Sequence, residues 1–133
     1  FRYFNVYGER QPTKGQYAPV IGLFIKQRRE GKPMTVVGDG LQRRDFTHVS
    51  DVVEANILAA LSTDLTVLGE TFNIGTGINH SVLDLAKLID GEYVHIPPRI
   101  GESRITLANI NKAKSMLQWQ PKVKLEEWIY ANR

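Results

Sequence analysis

The chain has no cysteine among its 133 residues. Disulfides and thiolate-bound metals are excluded, so stability must come from a packed core. The three histidines, His48, His80 and His95, stand far apart, and none is at metal-ligand spacing from another ligand. No metal centre is expected. No apolar run approaches the roughly 20 residues that cross a bilayer, and no membrane partner is expected. With no cysteine and no signal-peptide pattern in these residues, the expected setting is reducing and cytoplasmic. A large charge of one sign is also missing, because 17 basic residues against 14 acidic ones leave +3. That balance, without basic residues interleaved with exposed aromatics, argues against a nucleic-acid partner. It suits an anionic ligand held locally. Internal repeats and low-complexity segments are absent.

What is present reads as one globular domain, 42% hydrophobic and 23% charged. The chain opens without methionine on Phe1-Arg2-Tyr3-Phe4-Asn5-Val6-Tyr7, ended by Gly8. Its aromatic and β-branched residues predict a strand over 1–7, and a strand so apolar needs neighbours on both sides. The expectation is a segment of a longer protein. A polar loop over 9–16 follows, holding Pro12 and Gly15. Val20, Ile21, Phe24 and Ile25 then make a helical stripe over 17–30, stopped by Gly31. Strands are predicted at 34–37, 70–74 and 93–96, and a short extended piece at 46–49. Helices are predicted at 51–61, 82–89, from 109, and at 125–130. The first of these has Ser50 or Asp51 as N-cap and turns Val52, Val53, Ile57, Leu58 and Leu61 inward, while Ser81 and Asn109 cap the next two. Strands alternating with helices define an α/β class.

Two Gly-x-Gly turns follow strands, Gly38-Asp39-Gly40 and Gly75-Thr76-Gly77. Neither continues to the third glycine of a dinucleotide fingerprint, so they read as plain turns. No Ser-His-Asp arrangement is argued by the linear order. The arginines are more informative. Arg43-Arg44 follows the first glycine turn, and Arg99 and Arg104 follow Pro97-Pro98. A guanidinium fork donates paired hydrogen bonds to phosphate oxygens, so two arginines on converging loops can hold a diphosphate. Surface ion pairs are the equally available reading from chemistry alone.

Five segments together resemble the extended short-chain dehydrogenase/reductase family, in particular its sugar-nucleotide epimerases and dehydratases. They are Arg2-Tyr3-Phe4-Asn5-Val6-Tyr7-Gly8; Gly38-Asp39-Gly40 with Arg44-Asp45-Phe46-Thr47-His48-Val49; Asn73-Ile74-Gly75-Thr76-Gly77; Arg99-Ile100-Gly101-Glu102; and Asn109-Ile110-Asn111-Lys112-Ala113 with Leu117-Gln118-Trp119-Gln120-Pro121. They occur in the family's order and cover nearly the whole chain. The resemblance implies the C-terminal, nucleotide-sugar-binding portion of a Rossmann-type enzyme over 1–133. Residues 1–8 then match a late strand of the Rossmann sheet, and the NAD-binding N-terminal part is missing. The family's Tyr-x-x-x-Lys is also missing, since Tyr93 is followed four residues on by Pro97 and Tyr17 by Ile21.

The resemblance further implies roles for residues that match the family's motifs. Asn5 contacts the nucleotide-sugar and Val20 makes a backbone contact. Thr35 and Val37 pair through their backbone with the nucleobase, Arg44 and Arg99 hold the diphosphate, and Glu102 bonds a ribose hydroxyl. Tyr3 lies beside the nicotinamide amide of NAD, and no catalytic residue falls in this chain. The segment 11–20 looks most like enzymes acting on UDP-N-acetylhexosamines. Departures from the pattern are Glu9 and Gly22 for prolines, Ile100 for the proline of Arg-Pro-Gly-Asp, and Ile105 for a histidine. The implied parent is an NAD-dependent UDP-sugar 4-epimerase, oxidising and re-reducing the sugar at C4, and a homodimer. A 4,6-dehydratase or decarboxylase of the same family remains open, as does a stand-alone nucleotide-sugar-binding or interaction module. This chain alone is expected to be inactive and, with its strand edges unpaired, to self-associate.

Overall fold

The computed structural model describes residues 1–15 and 18–133. β1 (Arg2–Tyr3) and β2 (Val6–Tyr7) open the chain, α1 (Val20–Arg29) leads into β3 (Met34–Val37), and β4 (Arg43–Asp45) and β5 (Thr47–His48) precede α2 (Val49–Ala60). After a 3-10 turn at Leu65–Val67 come β6 (Asn73–Ile74), β7 (Asn79–Ser81), α3 (Val82–Ile89) and β8 (Tyr93–Ile96). Two further helices, α4 (Asn111–Leu117) and α5 (Leu125–Asn132), complete the α/β fold. The strands pair two by two: β1 with β6, β2 with β5 and β3 with β8 in parallel, and β4 with β7 antiparallel. Parallel partners need long crossovers, which the helices supply.

Two apolar clusters carry the packing. In the first, Ile21, Phe24 and Ile25 of α1 meet Met34 and Val36 of β3, Leu85 and Ile89 of α3, and Leu125 and Ile129 of α5. The α1 stripe follows the helical period, and Lys26, Arg28 and Arg29 in its last turn suit the negative end of the helix dipole. Ser81 caps α3 in a reciprocal box with Asp84, as its side-chain chemistry predicts. The second cluster gathers Val52 and Ala55 of α2, Phe72, Ile74, Ala108, Ile110, Leu117 and Trp119.

Two buried carboxylates join these clusters to the loops. Asp45 accepts from the Thr76 amide (2.8 Å), the Thr76 hydroxyl (2.6 Å), the Gly77 amide (2.9 Å) and the Ala108 amide (3.1 Å). Asp51 accepts from the amides of Lys122 (3.1 Å) and Val123 (3.2 Å), while its backbone carbonyl accepts from the Trp119 indole (2.9 Å).

Several expectations are corrected. The opening strand is two strands, broken at Asn5, whose φ of 29° lies in the left-handed region. One edge of each strand pairs within the chain, Arg2 opposite Asn73 and Val6 opposite Thr47, and because these sheets are two-stranded the other edge of each has no strand partner among the described residues. The helix expected from 17 begins at Val20, and Gln16 and Tyr17 lie outside the described residues. His48, not Ser50 or Asp51, is the N-cap of α2, its Nδ1 accepting from the Ser50 amide at 3.2 Å. Asp51 is instead turned inward, where its carboxylate bonds Lys122 and Val123. Val53, Ile57 and Leu61 face outward, more than half exposed. The helix is apolar on more than one face, so periodicity alone does not select the buried one, and the Asp51 bonds do. Ile110 holds the N-cap position of α4, with Asn109 accepting from the Asn111 amide at 3.1 Å. The strands β4 and β7 were not foreseen.

Asp45→Leu removes the acceptor shared by the amides of Thr76, Gly77 and Ala108, of which the Ala108 amide is buried and left without a partner. The expected loss is at least about 1–3 kcal/mol, the cost of one orphaned buried group. Urea denaturation of the variant and the wild-type chain measures it, and equal midpoints contradict the tie.

Candidate functional site

The pairing of β3 with β8 determines what the cleft wall offers. The Met34 amide bonds the Glu92 carbonyl (2.8 Å), and the Gly38 amide bonds the Ile96 carbonyl (2.9 Å). Even-numbered residues of β3 therefore bond β8, and the backbone groups of Thr35 and Val37 turn the other way. The Thr35 amide donates to Gln27 Oε1 (3.1 Å), whose Nε2 returns a bond to Thr35 Oγ1 (2.9 Å). The Val37 carbonyl accepts from Gln42 Nε2 (3.0 Å) and from the Gly40 amide (3.2 Å).

This edge forms one wall of a cleft of about 400 Å³, within the size range of small-ligand sites. The N-terminus of α1 forms another wall, at Val20. No side-chain cap bonds that terminus among the described residues, and its first turn holds no acidic residue. Uncapped amides and the positive end of the helix dipole favour an anion there. Asn5, placed by its left-handed backbone, closes the floor; its carbonyl accepts from the Thr47 amide (3.3 Å) and its side-chain oxygen from Thr106 Oγ1 (3.4 Å).

The arginines sort by partner. Arg43 bonds the side chain and carbonyl of Asn79 (2.7 and 2.6 Å), and so ties β4 to β7. Arg104 makes two parallel bonds to the Asp39 carboxylate, both 2.8 Å. Arg44, its side chain only 12% exposed, reaches Glu102 at 3.0 Å inside the cleft. Arg99 has no ion-pair partner among the described residues and lines the cleft and an adjoining hollow of about 310 Å³. Asn5, Val20, Thr35, Val37, Arg44, Arg99 and Glu102, singled out from sequence, thus line a single cleft. Tyr3 is not among its lining residues; it stands exposed on β1 with its hydroxyl donating to Asn56 (3.0 Å). Gln27 and Gln42 were missed by sequence reading. Glutamine carries no site signal unless the strand edge beside it is known.

Neither glycine turn seats a dinucleotide. A Cβ at Gly40 would meet Leu83 and Val36 at 2.6 Å, and one at Gly75 would strike Ala108 and lie 2.9 Å from the Asp45 carboxylate. The amides of Thr76 and Gly77 are engaged by that carboxylate, which occupies the place an anion would take.

His48 is buried between Tyr7 and Trp128, with Nε2 3.4 Å from Glu9. Glu9 is held below the usual carboxylate range, chiefly by the Trp128 indole bonded to it at 2.9 Å. Burial pushes the Tyr7 hydroxyl up, with Asp51, Glu126 and Glu9 adding to the effect. Asp39 is lowered to about 2, first by its bonds to Arg104 and then by the Leu41 amide.

Comparison with known proteins accords with this geometry. The model of the NAD dependent epimerase/dehydratase family matches residues 1–75, and the chain belongs to that family. The UDP-glucose 4-epimerase of Thermotoga maritima, solved with UDP-glucose, superposes with a TM-score of 0.89 at 42% identity, over 98% of this chain and 43% of that one. A UDP-glucose 4-epimerase of Mycolicibacterium smegmatis is 36% identical over 131 residues, covering 94% of this chain and 41% of the relative. A UDP-N-acetyl-alpha-D-glucosaminuronate decarboxylase of Bacillus cytotoxicus is 38% identical over 140 residues, covering 96% and 42%. The chain therefore spans about two fifths of the length of these relatives. No described helix is long and apolar enough to cross a membrane.

The Asp39–Arg104 pair has a defined pH signature. The carboxyl titrates near 3.8 when free and near 2 here, so its contribution is complete above about pH 4 and is lost as pH falls toward 2. The thermal midpoint of wild type should exceed that of Asp39→Asn above pH 4, and the gap should narrow as pH falls through 2 and close below it. A gap that stays constant across that range contradicts the assignment.

Proposed function

We propose that this chain is the substrate-binding part of an NAD-dependent UDP-sugar 4-epimerase. It holds the nucleotide diphosphate and orients the sugar for oxidation and re-reduction at C4. The observation that carries this reading is the convergence of Asn5, Val20, Thr35, Val37, Arg44, Arg99 and Glu102 on one cleft. Arg44 and Arg99 flank it as a diphosphate clamp, and the uncapped N-terminus of α1 adds amide donors at Val20. Within the cleft Glu102 pairs with Arg44. A diphosphate competes for that arginine and releases Glu102 toward a ribose hydroxyl. The chain contributes no acid or base. Its contribution is binding energy remote from C4, which fixes the reacting carbon in place. NAD is held by other residues of a longer protein, in which Tyr3 stands beside the nicotinamide. A nucleotide-sugar decarboxylase is the second reading, favoured by the 38% identity to one over nearly the whole chain.

The parent is proposed to be a homodimer in the same reducing, cytoplasmic setting. The chain alone carries an outward apolar stripe on α2, at Val53, Ile57 and Leu61, near the exposed Phe1 and Tyr3. Apolar patches of this kind recruit other chains. The isolated chain should self-associate, and Val53→Glu with Ile57→Glu should shift it toward monomer. Sedimentation equilibrium showing a monomer at high concentration contradicts this.

The clamp is tested by titration with UDP in a calorimeter. Each charge-assisted contact contributes about 1.5–3 kcal/mol, so Arg44→Lys and Arg99→Ala should each weaken binding roughly ten- to a hundredfold. Lysine keeps the charge of Arg44 but loses the fork. Lys114→Ala, on the exposed side of α4, should leave binding unchanged. Arginine variants that bind UDP as tightly as wild type refute the clamp.

A further inference from the structure

An open strand edge offers every outward amide and carbonyl to whatever lies beside it. On β3 these are the amide and carbonyl of Thr35, then the amide and carbonyl of Val37. The outer two are already engaged: the Thr35 amide by Gln27 Oε1 (3.1 Å), and the Val37 carbonyl by Gln42 Nε2 (3.0 Å). Gln27 comes from α1 and Gln42 from the segment after the Gly38–Gly40 turn, so two separate elements close the edge from its two ends. Among the described residues, what remains toward the cleft is one acceptor, the Thr35 carbonyl, beside one donor, the Val37 amide.

The geometry points to Gln27 and Gln42 as the positioning residues that fix one hydrogen-bonding register for a nucleobase on the β3 edge. The inference rests on the nucleotide-binding reading of the cleft. A strand of another chain would use all four groups, and two of them are taken. A planar imide needs only a carbonyl for its ring N–H and an amide for its ring C=O, as in uracil. With the flanking groups engaged, such a base has one place to sit, and a base displaced by one residue finds no free partner. The orientations of both glutamines are fixed by chemistry, since an amide N–H meets only an acceptor and a carbonyl only a donor. Gln42 is buried and lines the cleft, so its bond is shielded from water.

The two glutamines act through opposite ends of the same functional group, and substitution by glutamate separates them. In Gln27→Glu the new carboxylate still accepts from the Thr35 amide, and the Thr35 hydroxyl can turn to donate to it. That variant should therefore bind UDP within roughly twofold of wild type, whereas Gln27→Leu should bind roughly three- to tenfold more weakly. At the other site the lost group is the donor. Gln42→Glu places a carboxylate against the Val37 carbonyl and should lose at least as much as Gln42→Met, again roughly three- to tenfold. UDP titration of the full chain and the four variants reads these values, with thermal midpoints taken alongside. Should Gln42→Glu fail to fold, Gln42→Met carries that arm. The inference is overturned if wild type binds UDP while Gln27→Glu loses as much as Gln27→Leu. It is overturned equally if the Gln42 variants bind like wild type. A wild-type chain that does not bind UDP refutes the nucleotide reading itself, and this inference with it.

Discussion

The Asp45 carboxylate is the interaction on which the rest of the site depends. It is fully buried at the end of β4, and four donors from two distant segments converge on it. A buried carboxylate without partners would be costly, so the turn at Gly75–Gly77 and the strand leading to Ala108 must close around it. That closure sets the neighbours of Asp45. Arg44, one residue earlier, is held on β4 with its guanidinium in the cleft, and Thr106 is brought to the side chain of Asn5. The second glycine turn is thus an anion nest whose anion is the protein's own.

The distribution of arginine partners follows the same logic. Arg43 and Arg104 have their donors satisfied by Asn79 and Asp39, and both serve to tie one loop to another. Arg44 and Arg99 are the two arginines that line the cleft. Arg44 is compensated by Glu102 within the cleft. In the proposed reading a diphosphate with several oxygens is a stronger partner for that guanidinium than a monodentate carboxylate, so the exchange favours the ligand.

Much of this was legible in the residues. The α1 stripe, the Ser81 capping box and β8 follow from local rules, because apolar periodicity and cap chemistry act within a few residues. The cleft residues were legible only through the family resemblance, since arginines on loops read equally well as surface ion pairs, which Arg104 makes with Asp39. The remainder depends on contacts between residues distant in the chain. Nothing near Asp45 in sequence shows that Ala108 will donate to it, and nothing in α2 shows that Asp51 will bond Lys122 and Val123 and so turn Val53, Ile57 and Leu61 outward. The break at Asn5 belongs to the same kind, because an aromatic-rich run hides a left-handed residue whose backbone is required by two different strand partners.

The titratable groups at the cleft support a division between holding the substrate and changing it. Oxidation of a sugar hydroxyl needs a base whose affinity for the proton has been lowered to suit neutral pH. Tyr7 lines the cleft, but burial and the nearby carboxylates of Asp51, Glu126 and Glu9 shift its hydroxyl in the opposite direction. A tyrosine so placed keeps its proton and serves as packing, edge-on to His48 and Trp128. The features that do face the cleft are two arginines, an uncapped helix terminus, and a strand edge reduced to one acceptor and one donor. In the proposed reading each of these binds a part of a nucleotide diphosphate that does not change during the reaction. Interactions that are equal in the bound substrate and in the transition state lower the concentration at which an enzyme saturates, and they aid the chemistry only by fixing where the sugar lies. In the proposed reading the cleft serves that second role.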